Sequence, residues 1–450
     1  MEKVITIQGP AGAGAMASGK IVAKAAVKAG FFVFGYPEYP SLIKGGLNTF
    51  QVVISDQEVR GPRLKSDQIF EIGNDNLLTA REAGKYLGLN DQFIELAIEE
   101  TVGSKKCDNR LEMISGNEAL AEGFLTAGGN FCAIYPMTPI TNILHYLVEK
   151  NVSGTKIFQP ADEIEGINTA VGASYAGAKA MVATSGGGLD LMAEGISLAG
   201  ATNTPLVIIN GQRVGPSTGM PTWSEQGDLS TVLVIGHGDF PRFVFAPGDV
   251  EECYELTQLA FKLTSKYRIP AIILVDKFLC ESYISRYQKT EITENWQTGK
   301  LETDNRKLTT ESANSYDHDD QRYPTEDGEY HVKHTKERWN RFEEAKTEIK
   351  NEIKLYGPET AKTIIVSWGS NKGPILDALP GMADTNFLHI KCLSPFPVDA
   401  VTNILKNATN VISFEENHSG QLAKLIKQET GILVKSKTKY NGKPFYKEDF

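Results

Sequence analysis

What most limits the folds open to this chain is a repeated order: a short apolar run, a loop of glycine, proline and hydroxyl residues, then a stretch with helical periodicity. In the middle of the chain the runs are Phe131 to Tyr135, Ala180 to Thr184, Pro205 to Asn210, Phe243 to Ala246 and Pro270 to Val275. A strand that is apolar on both sides has no face to give to water. It belongs in a sheet covered on both faces, and the helical segments between such strands supply the cover. The expectation is an α/β unit with a parallel sheet, beginning near Gly116.

The same reading divides the whole chain. Lys3 to Ile7 reads as a strand, Gly9 to Gly19 as a loop, Lys20 to Ala29 as a helix stopped at Gly30, and Phe31 to Gly35 and Thr49 to Ser55 as further strands. From Asn76 to Glu100 the period turns helical, and no further strand is expected before Cys107. Residues 1–108 are therefore expected to form a small α/β domain and 109–286 the parallel-sheet domain. Residues 287–356 form a polar connector closing with a helix from Thr335 to Leu355. Residues 357–450 form a third α/β domain, with strands Thr363 to Trp368, Phe387 to Cys392 and Asn410 to Glu415.

Charge and cysteine content narrow the function classes. A formal charge of −10 is unsuited to neutralising nucleic-acid phosphates. The five cysteines, Cys107, Cys132, Cys253, Cys280 and Cys392, include no CxxC pair, so neither an iron–sulfur cluster nor a structural zinc is expected on this chain. The opening MEKVITIQGP lacks the pattern of a signal peptide, and no apolar run reaches the roughly 18 residues of a membrane span, so a soluble cytoplasmic protein is expected.

Several loops carry chemistry. Gly14 to Lys20 follows a Walker A loop until Ile21, where the hydroxyl that binds Mg²⁺ is missing; a glycine turn that lets helix and strand pack closely is the simpler reading. Tyr135-Pro-Met-Thr138-Pro139 ends a buried strand, placing Thr138 at the carboxyl end of the sheet, where open α/β folds bind ligands, or making it a helix cap. Asp162-Glu163-Ile-Glu165 opens a helix whose body is rich in small residues. Its acids either serve a ligand or simply favour the positive end of the helix, and its glycines are expected to admit a close neighbour. Thr184-Ser185-Gly186-Gly187-Gly188 is a flexible loop that either underlies a ligand or merely turns the chain. Arg213, directly after a buried strand, offers a planar fork suited to a carboxylate. His237, between Gly236 and Gly238, reads as an ordinary loop histidine.

Taken in order and spacing, YPMTP, ADEIEGINTAVGASYAGAKAMVATSGGG, RVGPSTGMPT and GHGDFPRFVFAP resemble the pyrimidine-binding domain of the α subunit of 2-oxoacid:ferredoxin oxidoreductases. The segment GYPEYPSLIKGGLNTFQVVISD resembles the start of that family's γ domain, and EENHSGQL with NGKPF its C-terminal transketolase-like domain. The resemblance implies an α/β multi-domain fold and a γ–α fused subunit. It implies oxidative decarboxylation of a 2-oxoacid (2-oxoglutarate or pyruvate) on thiamine diphosphate, with reduction of ferredoxin and transfer of the acyl group to coenzyme A. It further implies a β subunit that holds the diphosphate, Mg²⁺ and a [4Fe-4S] cluster, in an αβ or (αβ)₂ assembly, and no metal on this chain.

Carried over by position, Glu163 matches the glutamate that hydrogen-bonds the aminopyrimidine and promotes loss of the thiazolium proton. Thr138 and Arg213 match substrate-contacting positions, with Tyr135, Ser217 and Thr218 in support, and Ser185 and Gly186 lie against the cofactor. The family's TSGPG reads Thr184-Ser-Gly-Gly187-Gly here, and the γ-like region is short, passing after Asp67 from its third strand to its final helices. A similar shortening is expected near Lys307 to Ser312. Two other readings remain: a non-catalytic scaffold of the same fold, and a nucleotide-binding protein working through the N-terminal glycine loop.

Overall fold

In the computed structural model of the chain, residues 2–40, 45–72, 76–102, 111–287, 314–349, 353–358 and 360–450 are described. Three large sheets organise them, beside a two-stranded ribbon of Asp317–His318 and Pro324–Thr325. The first holds six strands in the order Gln68–Glu71, Glu2–Pro10, Leu47–Ser55, Phe32–Glu38, Tyr283–Tyr287 and Leu111–Ser115. The helix Ala15–Lys28 covers it, buried through Ile21, Val22, Ala25 and Ala26 against Ile5, Phe50 and Val52. Gly19 is required there, because a Cβ would stand 2.3 Å from the Phe50 ring. The glycine turn therefore serves close packing.

This sheet departs from the sequence expectation in two respects. A fourth strand, Gln68–Glu71, follows Asp67, pairing in parallel with Ile5 to Gln8. The sheet also recruits Leu111–Ser115 and Tyr283–Tyr287 from the two ends of the segment expected to form the second unit. These strands escape a hydropathy reading because Arg286 is buried among them, held by Glu112 at 2.6 Å and Glu122 at 2.7 Å.

The second sheet is parallel across Phe243–Phe245, Ala271–Asp276, Val207–Gln212, Ala180–Thr184, Phe131–Ile134 and Lys156–Phe158, with Cys392–Ser394 antiparallel on one edge. Its central strands are buried along their whole length, as two-sided apolar runs require. From Phe131–Ile134 the chain first moves outward to Lys156–Phe158, then crosses back to Ala180–Thr184 on the other side. That reversal opens a crevice at the carboxyl ends of the two inner strands.

The third sheet runs Ile353–Tyr356, Thr385–Ile390, Thr363–Ser367, Asn410–Glu415 and Lys435–Thr438, parallel but for its first strand. The helix expected from Thr335 to Leu355 is instead Gly328–Lys346, started by the Asp327 side chain, and Ile353–Tyr356 is an edge strand. The expected shortening near Lys307 to Ser312, like Cys107, lies outside the described residues.

The units are locked together by buried charge. Arg63 of the first grips Asp377 of the third at 2.9 Å and Glu2 at 2.8 Å. Gly373 lets the two backbones touch, since a Cβ there would stand 2.1 Å from the Arg60 carbonyl oxygen. Lys277, wholly buried, donates to the Pro37 carbonyl at 2.7 Å and faces Glu281 at 3.4 Å.

Candidate functional site

The crevice collects one residue group from the end of each strand around it. Asp162 caps the helix Glu163–Tyr175, its Oδ1 accepting from the Glu165 N–H at 2.8 Å. That cap fixes Glu163 in the first turn, where the helix dipole favours a carboxylate. Glu163 is 4% exposed, and its Oε1 is buried without a hydrogen-bond partner among the described residues. Gly188 makes its seat: a Cβ there would stand 2.6 Å from Glu163 Oε1 and 2.2 Å from Thr184 Oγ1.

Thr184 Oγ1, Ser185 Oγ and Asn210 Oδ1 are buried and unpartnered in the same way. An unpaired buried polar group costs about 1–3 kcal/mol, so native folds rarely tolerate several together. Four at the carboxyl ends of neighbouring strands mark a place built to hydrogen-bond something else. A planar heterocycle carrying ring nitrogens and an exocyclic amine is chemically suited to such a set, with Glu163 at a ring nitrogen and the hydroxyl and amide oxygens toward donors.

Arg213 faces the same space. Its Nη1 donates to the Thr138 carbonyl oxygen at 3.0 Å, leaving the other guanidinium donors for a ligand. Burial pulls its pKa down, and the nearby charges of Glu163 and Asp228 oppose that shift. Asp228 accepts from Asn210 Nδ2 at 2.9 Å, and its Oδ2 lies 4.0 Å from where a Cβ of Gly186 would stand. Burial raises the Asp228 pKa; Asp190 adds to the rise, while Asn210 and Arg213 resist it.

Thr138, Glu163, Ser185, Gly186 and Arg213 thus lie around one crevice, Glu163 and Gly186 at the starts of helices and the others in loops. Thr138 is not a cap, because the helix Thr141–Lys150 takes Ile140 in that position. Tyr135, 36% exposed, and Ser217 and Thr218, both exposed, stand at the outer rim. Their loop closes as a small hairpin through Val214 and Met220, with Ser217 at φ 56°, a left-handed conformation that costs a non-glycine residue about 1 kcal/mol or more.

Sequence reasoning passed over Asp228 and Asn210 as site residues, and named Gly188 only as part of the Thr184 to Gly188 loop. Asn210 ends an apolar run and Gly188 looks like one more loop glycine; the alternation of charge and turn residues after Arg213 gave no reason to single out Asp228. No described part of the chain itself approaches Gly172 or Gly177 of the Glu163 segment: nothing lies within 4 Å of where a Cβ of either would stand, and Gly177 lies beyond the helix end at φ 98°.

The N-terminal glycine loop is arranged differently. Lys20 folds back with its Nζ 4.6 Å from the centre of the Tyr283 ring, and burial lowers its pKa. It does not stand free as a phosphate-binding lysine does. His237 is an exposed loop residue whose carbonyl accepts from Ser197 Oγ at 2.6 Å. Among the described residues no group of three or more His, Cys, Asp or Glu side chains is placed to hold a metal ion, and no helix is long and apolar enough to cross a membrane.

Comparison with known proteins places this geometry. Residues 122–354 match the family model for the thiamine-diphosphate-binding domain of pyruvate flavodoxin/ferredoxin oxidoreductase, and residues 4–82 match that for pyruvate ferredoxin/flavodoxin oxidoreductase. The chain is 32% identical over 386 residues to subunit alpha of 2-oxoacid:ferredoxin oxidoreductase 1 from Sulfurisphaera tokodaii, across 76% of this chain and 61% of that relative's length. It is 34% identical over 332 residues to the 2-oxoglutarate synthase subunit KorA of Archaeoglobus fulgidus, across 72% of this chain and 93% of the relative. A solved 2-oxoglutarate:ferredoxin oxidoreductase from Magnetococcus marinus, with 2-oxoglutarate, coenzyme A and succinyl-CoA bound, superposes with a TM-score of 0.83 at 25% identity, covering 100% of this chain and 98% of that one.

Proposed function

The chain belongs to the 2-oxoacid:ferredoxin oxidoreductase family, and from that premise we propose that it is a γ–α fused subunit whose crevice holds the pyrimidine end of thiamine diphosphate and the carboxylate of a 2-oxoacid. The observation that carries the proposal is the buried, unpartnered Glu163 Oε1, set in the first turn of its helix and seated against Gly188. When bound, thiamine diphosphate supplies the electron sink for decarboxylation. Glu163 holds a proton-bearing contact at the pyrimidine ring nitrogen and so sets which ring nitrogen carries the proton. Ser185 and Gly186 would hold the cofactor beside Glu163, with Thr184 Oγ1 and Asn210 Oδ1 as further hydrogen-bonding groups toward it.

Arg213 binds the 2-oxoacid carboxylate with the donors that Thr138 leaves free, and the Thr138 hydroxyl takes the carboxylate or the 2-oxo oxygen. Tyr135, Ser217 and Thr218 line the exposed rim, which makes them the surface over which a β subunit closes. That subunit supplies the diphosphate site, Mg²⁺ and the [4Fe-4S] cluster; coenzyme A takes the acyl group and ferredoxin the electrons. The substrate is 2-oxoglutarate or pyruvate, and the working assembly is αβ or (αβ)₂ in the cytoplasm.

The test is 2-oxoacid-dependent reduction of a viologen dye by the chain co-expressed anaerobically with its β subunit, supplied with thiamine diphosphate and coenzyme A. Glu163→Gln is expected to lower kcat about 10³-fold, the range of a lost acid–base contact. Arg213→Ala is expected to raise KM for the 2-oxoacid about 100-fold, consistent with roughly 3 kcal/mol for a charged hydrogen-bonded pair. A complex that binds thiamine diphosphate yet reduces no dye with any 2-oxoacid overturns the reading.

A further inference from the structure

The loop that carries Asp228 is held in place mainly by another unit. The Ser224 N–H donates to the Gly442 carbonyl at 3.0 Å, and the Gln226 N–H to the Glu416 carbonyl at 2.7 Å. The Gln226 carbonyl accepts from Asn417 Nδ2 at 3.2 Å, and the Gly227 carbonyl from Gln421 Nε2 at 2.7 Å. Each of those partners belongs to the third unit. The Ser224 hydroxyl adds a bond to Glu416 Oε2 at 3.1 Å, and the Ser230 N–H one to Gln421 Oε1 at 3.0 Å.

Gln226 is the centre of this grip. It is fully buried, and all four of its hydrogen-bonding groups are used: beyond the two backbone bonds, its Nε2 donates to Asp276 Oδ2 at 3.0 Å and its Oε1 accepts from Asn371 Nδ2 at 3.0 Å. Gly369 admits it, since a Cβ there would stand 2.8 Å from its Nε2. Two residues on, the Asp228 N–H donates to Gln212 Oε1 at 3.0 Å. Gln212 precedes Arg213 in the chain and is anchored through its Nε2 to the Val275 carbonyl at 3.3 Å.

We propose that Gln226 is a positioning residue through which the third unit sets the placement of Asp228, and through Asp228 and Gln212 the aim of the Arg213 guanidinium; the proposal rests on the reading of Arg213 as the carboxylate anchor. Hydrogen bonds tie Asn371, Glu416 and Asn417 to Gln226, two residues of chain lead from Gln226 to Asp228, and a further hydrogen bond joins the Asp228 N–H to Gln212, the residue beside Arg213. The Asp228 carboxylate is also one of the two negative charges that act on Arg213. A displacement of about 1 Å at such a centre is enough to weaken a bidentate contact by orders of magnitude. The third unit thus has a task in substrate binding beyond adding mass to the fold.

The experiment uses the same co-expressed complex with Gln226→Met, which keeps the side-chain length and removes its hydrogen bonds. KM for the 2-oxoacid is expected to rise about tenfold with kcat within twofold and thiamine diphosphate affinity unchanged, the pattern of a lost ground-state grip. Hydrogen–deuterium exchange gives a reading independent of turnover: the Asp228 and Gln226 amides are expected to lose protection while the strand Val207–Gln212 keeps its own. An unchanged KM, or unchanged exchange across residues 213–228, overturns the proposal. Wild-type complex that turns over no 2-oxoacid defeats the functional reading instead, and the exchange result then decides the proposal alone. If Gln226→Met does not assemble, Gln421→Met, at the rim of the same contact, decides in the same way, with a KM rise of about threefold expected and an unchanged KM overturning it.

Discussion

Two glutamates, Glu163 and Glu415, are each buried beside the start of a helix, yet they are treated in opposite ways. Glu415 is fully buried and its carboxylate is saturated: it accepts from the Leu422 and Ala423 N–H groups at 2.7 and 3.0 Å, from Asn417 Nδ2 at 3.1 Å, and from Ser413 Oγ and Ser436 Oγ at 2.9 and 3.2 Å. Glu163 is almost as buried, but its Oε1 is left with no partner. A buried carboxylate whose bonds are completed by its own fold holds that fold together. One whose bonds are left open is held ready for a ligand, and the chain gives up stability to keep it so.

The comparison is broken or sharpened by substitution. The largest stability effect is expected at Glu415→Ala, which strips five donors of their acceptor and is expected to cost about 4 kcal/mol by urea unfolding of the third unit. A loss under 1 kcal/mol means the saturated network is not structural. Glu163→Gln, ruinous for activity in the complex, is expected to leave stability within about 1 kcal/mol of wild type, because it breaks no internal bond at Oε1. A large destabilisation there removes the contrast between the two residues.

A third, smaller effect comes from pH. Burial raises the pKa of Glu416 well above the carboxylate range and the charge of Asp276 adds to the rise, while Ser224 and Lys439 pull the other way. A raised acid contributes its stability in full below the unfolded value of 4.5 and loses it as pH climbs through the folded value. The melting temperature is therefore expected to fall as pH rises from about 4.5 upward, and Glu416→Gln to flatten that fall. Parallel pH profiles for the two proteins refute it. The smallest effect is expected at Gly187→Pro, which converts Thr184-Ser-Gly-Gly-Gly to the TSGPG pattern of the family it resembles, at a position with open space around its Cβ. Stability is expected to rise by about 0.5 kcal/mol with kcat within twofold; a tenfold loss of activity shows that the extra glycine is needed for motion.

How much of this was legible without coordinates differs by residue. Thr138 and Arg213 were singled out because each follows an apolar strand, and Glu163 because it stands at the opening of a helix rich in small residues; those patterns are local. Asp228 and Gln226 were not, since they lie in a loop with no periodicity and matter only through atoms distant in the sequence, such as Asn210, Asp276, Asn371 and Glu416. Leu111–Ser115 and Tyr283–Tyr287 were missed as strands because a buried Arg286 reads as a surface residue until Glu112 and Glu122 are seen beside it.

By itself the sequence determined the α/β class, the parallel central sheet and the end of that sheet where the unpartnered polar atoms gather. Those follow from side-chain pattern and chain direction, both of which are written along the chain. Only the tertiary structure decided which polar atoms are saturated and which are left open, and that the third unit grips the loop that carries Asp228. Hydrogen-bond satisfaction and electrostatic reach depend on distances between residues far apart in sequence, such as Gln226 and Asn371 or Gly188 and Glu163, and distances of that kind exist only once the chain has closed on itself.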